Sequence, residues 1–166
     1  MRYFAAIGRL KSFVGADRYT PRLPVPLLVA AVTTVLVAVG STGPWARVLG
    51  EKYVNDEIEV FSVRGTVGDG MATLALGILA GVLILWRLVR THSSGFVLGA
   101  AIVVLVVIVV VGMLNWLDVS HMPGVDQHGR YFRTGARAAW GLIVVTLAAL
   151  AGVSALAYQL WNDELR

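Results

Sequence analysis

The chain has 166 residues, 57% of them hydrophobic and only 14% charged, with a mean hydropathy of +0.75. Soluble domains carry about 25% charged residues. A soluble enzyme or soluble nucleic-acid-binding domain is therefore excluded, despite a pI near 9.9. The absence of cysteine removes disulfides, thiolate metal sites and cysteine nucleophiles.

The positions of the charges define the organisation. The stretches 23–46, 70–86, 91–117 and 138–162 contain no Asp, Glu, Lys or Arg. Each is near or above the ~18 apolar residues that cross ~30 Å of hydrocarbon. The sequence predicts an all-α membrane fold: a four-transmembrane-helix bundle with spans at about 24–41, 71–89, 96–117 and 138–160. Together they form one four-helix membrane domain, 23–166, with external loops at 42–69 and 118–137.

Residues 1–22 are too polar to span. A stripe of Tyr3, Ile7, Leu10 and Val14, with Arg2, Arg9 and Ser12 on other faces, fits a cytoplasmic amphipathic helix lying in the interface and attracted by anionic lipid. A basic tail that only sets topology fits the same residues. Pro21, Pro24 and Pro26 suit the first turn of the first span, where missing N–H groups cost nothing. The basic stretch ahead of that span is long for a signal peptide, so the span is expected to remain.

In the first external loop, 45–49 and 58–63 are β-prone and flank a polar EKYVNDE segment. This predicts a small extracytoplasmic β-hairpin, which needs cover from the second external loop. The glycine-rich 65–70 that follows is read as a tight turn, with Asp69 as N-cap of the second span. Arg87 can snorkel from that span's last turn. The third span is β-branched enough to mimic a strand, but its length of 22 residues, ~33 Å as a helix, decides for a helix.

Spans in lipid associate by close backbone approach. Candidate ridges at spacing four are Ala30–Thr34–Ala38–Thr42, Thr73–Gly77–Gly81, Gly95–Gly99, and Ala148–Gly152 with Ala151–Ala155. They are expected to pack the bundle internally, Gly77–Gly81 being the ridge best placed to dock a partner helix or a second copy. Trp45, Trp86, Trp116, Trp140 and Trp161 all fall at span ends and read as interface anchors. Asp118, His121, Asp126 and His128 in the second loop supply ligand types for zinc, although solvated loop residues explain them as well. Arg130, Arg133 and Arg137 share a helical face if the fourth helix extends outward, facing phosphate headgroups, the acidic hairpin or an anionic partner.

Basic residues set the orientation. With both termini cytoplasmic, eight lie inside and six in the much longer external segments, and five of the eight precede the first span. No charged residue or His sits mid-span, which argues against ion pumps, proton relays and transporters.

Three segments together resemble small uncharacterised actinobacterial four-span membrane proteins. They are T-G-P-W-A-R-V from Thr42, V-x-G-T-x-G-D-G-x-x-T-L from Val63, and G-x-Y-x-x-x-G over Gly129, Tyr131 and Gly135. The resemblance covers about a third of the chain and implies no activity. In layout alone the chain is similar to claudin-type tetraspans, without their cysteine pair. The reading that follows is a non-enzymatic, multi-pass plasma-membrane protein, without a cofactor, that acts as an accessory, scaffolding or assembly subunit. Its partners would be the lipid bilayer and another membrane protein or a homo-oligomer, not nucleic acid. A pore-forming or holin-like protein and an external metal-binding sensor are the alternatives.

Overall fold

The computed structural model describes residues 25–54, 57–90, 95–121, 124–125, 131–132 and 136–164. The proposed interfacial helix at 1–22 lies outside them. Each uncharged stretch forms one helix: α1 Val25–Thr42, α2 Gly70–Val89, α3 Gly95–His121 and α4 Trp140–Glu164. All four are long and apolar enough to cross a membrane. The β-branched α3 stays helical because, in hydrocarbon, a spanning segment must satisfy its own backbone N–H and C=O groups. It overruns its predicted end by a turn. α4 starts later than predicted because the residues ahead of it pair in a sheet.

The helices form a ring. Each packs on its neighbours in sequence, and α1 closes the ring on α4 through the most extensive interface of the four. Large apolar side chains line the outside, among them Val32 and Val35 of α1, Ile78 and Val82 of α2, and Val103 and Val110 of α3. A water-facing surface could not carry so much exposed apolar area; hydrocarbon can. The inside holds a narrower stripe of Leu27, Ala30, Val37, Ala80, Ile84, Leu98, Leu105, Ile108, Leu142, Val145 and Leu156.

The helices meet where side chains are smallest. A Cβ on Gly40 would lie 2.9 Å from the Gly141 carbonyl oxygen, and one on Gly141 would lie 2.7 Å from the Gly40 carbonyl oxygen. α1 and α4 therefore touch backbone to backbone. Elsewhere a glycine faces a β-branched side chain on the next helix. Gly77 meets Val37, Gly81 meets Thr34, Gly152 meets Thr33 and Leu105, and Gly112 meets Thr146. The threonines can enter these apolar contacts because each hydroxyl bonds its own helix. Thr33 donates to Ala30 O and Thr34 to Ala31 O, both at 2.8 Å, and Thr146 donates to Leu142 O at 2.9 Å.

Gly77, Gly81 and Gly152 thus pack inside the ring, and the Gly77–Gly81 ridge is covered by α1. The third-span expectation needs correction. Nothing lies within 4 Å of a Cβ placed on Gly99, and Gly95 would meet only Leu160, at 3.7 Å. The buried stripe of α3 runs through Leu98, Ala101, Leu105, Ile108 and Gly112, so Gly99 falls beside the seam and Gly112 within it. On α1 the seam likewise passes Val37 and Ser41, leaving Ala38 half-buried and Thr42 exposed.

Beyond one end of the ring, β1 (Pro44–Val54) and β2 (Glu57–Arg64) form the antiparallel hairpin, longer than predicted because both strands run into the polar segment. The expected cover from the second loop comes as a third strand, β5 (Ala136–Ala138), on the free edge of β1, giving the order β2-β1-β5. Two short strands, β3 (Gly124–Val125) and β4 (Tyr131–Phe132), pair separately.

Gly112→Ala should lower the thermal midpoint by roughly 4–8 °C, the effect of about 2 kcal/mol of overpacking. Thr146→Ala in the same chain should restore part of the loss, while Gly99→Ala should be neutral or slightly stabilising. Melting curves in one mild detergent compare the three variants.

Candidate functional site at the sheet end

The chain leaves and re-enters the bundle at the sheet end, where helix termini strand unpaired backbone groups. At the end of α1 the Gly40 carbonyl accepts from Gly43 N–H at 3.2 Å and from the indole Nε1–H of Trp45 at 3.1 Å. Ser41 and Thr73, both fully buried, share a hydrogen bond of 2.9 Å that ties α1 to α2. Whichever hydroxyl is not donating across the pair can donate to its own helix, Ser41 to Val37 O or Thr73 to Gly70 O. Gly65 N–H reaches the Gly43 carbonyl at 3.0 Å.

Trp45 plugs this junction. It is 5% exposed, and its ring lies directly over Gly65, where any side chain would collide with it. The β1–β2 register slips between Pro44 and Ala46, so Trp45 sits in a bulge that turns its ring toward the bundle. The interface-anchor expectation is corrected here, because Trp45 is enclosed by protein instead of facing headgroups. A tryptophan next to a span end satisfies either arrangement, and only the bulge and the facing glycine separate them. Trp86, Trp116, Trp140 and Trp161 are exposed, as anchors require. Trp140 also rests its ring on Gly43, where a Cβ would lie 2.7 Å from it.

Asp69 precedes α2 as expected but does not cap it with its side chain; its backbone is helical. Its carboxylate instead accepts from Asn115 Nδ2 at 2.9 Å, joining the start of α2 to α3. Asn115 also donates to Val111 O at 2.9 Å. A lone asparagine in an otherwise apolar span was the available signal for this tether.

Of the predicted zinc ligands, the described residues include Asp118 and His121. Asp118 and His121 lie on the last turns of α3, and His121 Nδ1 bonds the Leu117 carbonyl at 2.7 Å. Asp126 and His128 fall outside the described residues, and among the described residues no three His, Asp or Glu side chains cluster as metal ligands. Arg137 is likewise not on an outward extension of α4. It lies on β5, because Ala136–Ala138 pairs with β1 and the helix begins only at Trp140. Arg130 and Arg133 lie outside the described residues.

The sheet has two different faces. Ala46 belongs to the core cluster, as does Val119 near the end of α3; Ala136 and Ala138 of β5, which packs on α3, lie partly buried against it. Arg47 and Arg137 alternate with these alanines and are exposed on the opposite face. They are direct cross-strand partners, and Ser62 of β2 is the partner of Arg47 on its other side. Arg64, two residues from Ser62 on β2, is exposed as well.

At the opposite end of the ring, Arg87 Nη2 pairs with Asp163 Oδ2 at 3.2 Å, joining the diagonal helices α2 and α4. Gln159 donates to the other carboxylate oxygen at 2.8 Å, and the Arg90 guanidinium lies 4.6 Å above the Trp86 ring. Arg87, expected to snorkel, is thus held by an ion pair with a residue 76 positions on.

No family model, curated protein or solved structure matches this chain. The fold and the residues at its two ends therefore carry the functional argument.

Trp45→Ala should destabilise the protein by about 3–5 kcal/mol. Trp45→Phe should cost about 1–2 kcal/mol, since it fills the junction but leaves Gly40 O one donor short. Denaturant unfolding followed by intrinsic fluorescence distinguishes the two.

Proposed function

We propose that this integral membrane protein is a non-enzymatic accessory or assembly subunit of a bacterial plasma-membrane complex. Both termini lie in the cytoplasm, and the three-stranded sheet works on the outer side. The observation that carries this reading is the contrast between the interior and the sheet end. Inside the ring, the buried polar side chains Thr33, Thr34, Ser41, Thr73 and Thr146 are hydroxyls, all within reach of a carbonyl of their own helix. Such an interior supports neither a water-filled path nor a proton relay, both of which use ionisable groups or a continuous polar face. Glycine contacts close the helix seams that a pore would need to open. At the sheet end, by contrast, a rigidly mounted sheet presents exposed arginines.

Orientation follows the first span, whose preceding basic residues usually dominate topology. The internal use of Gly77, Gly81 and Gly152 leaves the sheet, rather than a helix ridge, as the partner surface.

Tagged protein expressed in a bacterial host and purified in mild detergent should bring a defined membrane protein with it, identified by mass spectrometry. Induced expression should leave the membrane potential unchanged. A collapse of potential overturns the reading in favour of a pore, and isolation as a bare monomer overturns the accessory role.

A further inference from the structure

We infer that the outward face of the sheet, through Arg47, Arg137 and Arg64, holds the phosphate of an anionic phospholipid headgroup in the leaflet on the sheet side. This rests on the sheet end being the working surface proposed above.

The register is the main observation. Like charges directly opposite one another in a sheet are destabilising, yet Arg47 and Arg137 are paired across β1 and β5. Ala139 N–H donates to Trp45 O at 2.9 Å. Alternation along the antiparallel ladder then makes Arg47–Arg137 the pair that exchanges both backbone hydrogen bonds, with Cα atoms about 5.5 Å apart. On the other side of β1, Ser62 is the closer, non-bonded partner of Arg47. The exposed row Ser62–Arg47–Arg137 thus sets a hydroxyl beside two guanidiniums, with Arg64 completing its membrane-near edge. Among the described residues none of the three arginines makes an ion pair. Two cross-strand guanidinium forks with no ion-pair partner among the described residues suit a tetrahedral anion that both can bond at once.

Depth selects the source of that anion. Arg137 is three residues from Trp140, which begins α4 and is exposed at the membrane boundary. Three extended residues span about 10 Å, and the headgroup layer is about 5–8 Å thick on each side. Arg64 pairs with Pro44, two residues beyond the end of α1, and so lies nearer still. The long arginine side chains reach the phosphate plane from these positions. A soluble anion would not call for this placement beside the bilayer.

The test uses the full chain in nanodiscs and the double variant Arg47→Gln/Arg137→Gln. In pure phosphatidylcholine the variant should melt at the same temperature as the wild type or slightly above it, because the cross-strand repulsion is gone. Replacing a third of the lipid with phosphatidylglycerol should raise the wild-type midpoint by about 3 °C or more, by preferential binding to the folded state. The double variant should lose most of that shift. Arg90→Gln, at the opposite end, should keep it. Native mass spectrometry should show several-fold less retained phosphatidylglycerol on the double variant.

Equal shifts in wild type and double variant overturn the proposal. So does a shift lost in Arg90→Gln but kept in the double variant. Inorganic phosphate or glycerol phosphate reproducing the wild-type shift in phosphatidylcholine overturns the lipid as source. These outcomes are separate from loss of membrane potential or isolation as a bare monomer, which bear on the accessory role.

Discussion

The structure depends on one contact, the backbone-to-backbone approach of α1 and α4 at Gly40 and Gly141. In hydrocarbon, apolar side chains gain little by leaving lipid for a neighbouring helix, so association relies on dispersion at short range and on polar groups that would otherwise be stranded. A side chain at either glycine would separate the two carbonyl-bearing backbones and open the largest seam of the ring. The Thr–Gly contacts at Thr33, Thr34 and Thr146 extend the same logic along the bundle. In each, the hydroxyl donates to its own helix while its oxygen, with Cβ behind it, fills the space that a glycine leaves.

The end of α1 strands its last carbonyls, and at Gly40 the chain answers with the Trp45 indole and Gly43 N–H. The bulge that turns Trp45 inward also sets the phase of β1 beyond it. Ala46 consequently joins the core cluster and Arg47 faces away. One residue more or less in the bulge would exchange those faces and turn a guanidinium toward the core. The basic row and the packed junction are therefore two results of a single register choice.

Much of this was legible from residue patterns. Charge-free lengths located all four helices, and the β-prone segments 45–49 and 58–63 flanking a polar stretch located the hairpin. The third strand was not legible because Ala-Arg-Ala is too short to show a period of two, and its pairing partner lies 90 residues away. Spacing four identified candidate glycines but could not rank Gly99 against Gly112, since that depends on the rotation of α3 about its own axis. Five tryptophans at span ends fitted one rule, yet Trp45 obeys a different one, set by Gly65 facing it. Asp69 was placed correctly as the residue before α2. Its side chain's partner, Asn115, sits 46 residues on, beyond any local signal.

Ring closure by α1 and α4 also bears on biogenesis. The first of the four described helices has its largest interface with the last of them, and β1 gains its third strand from the segment just before α4. During synthesis α1, α2 and α3 can enter the bilayer and join in sequence, but the α1 seam lined by Ala30, Thr33 and Gly40 stays open to lipid until α4 arrives. An unfinished chain thus displays a small-residue surface that the finished protein hides.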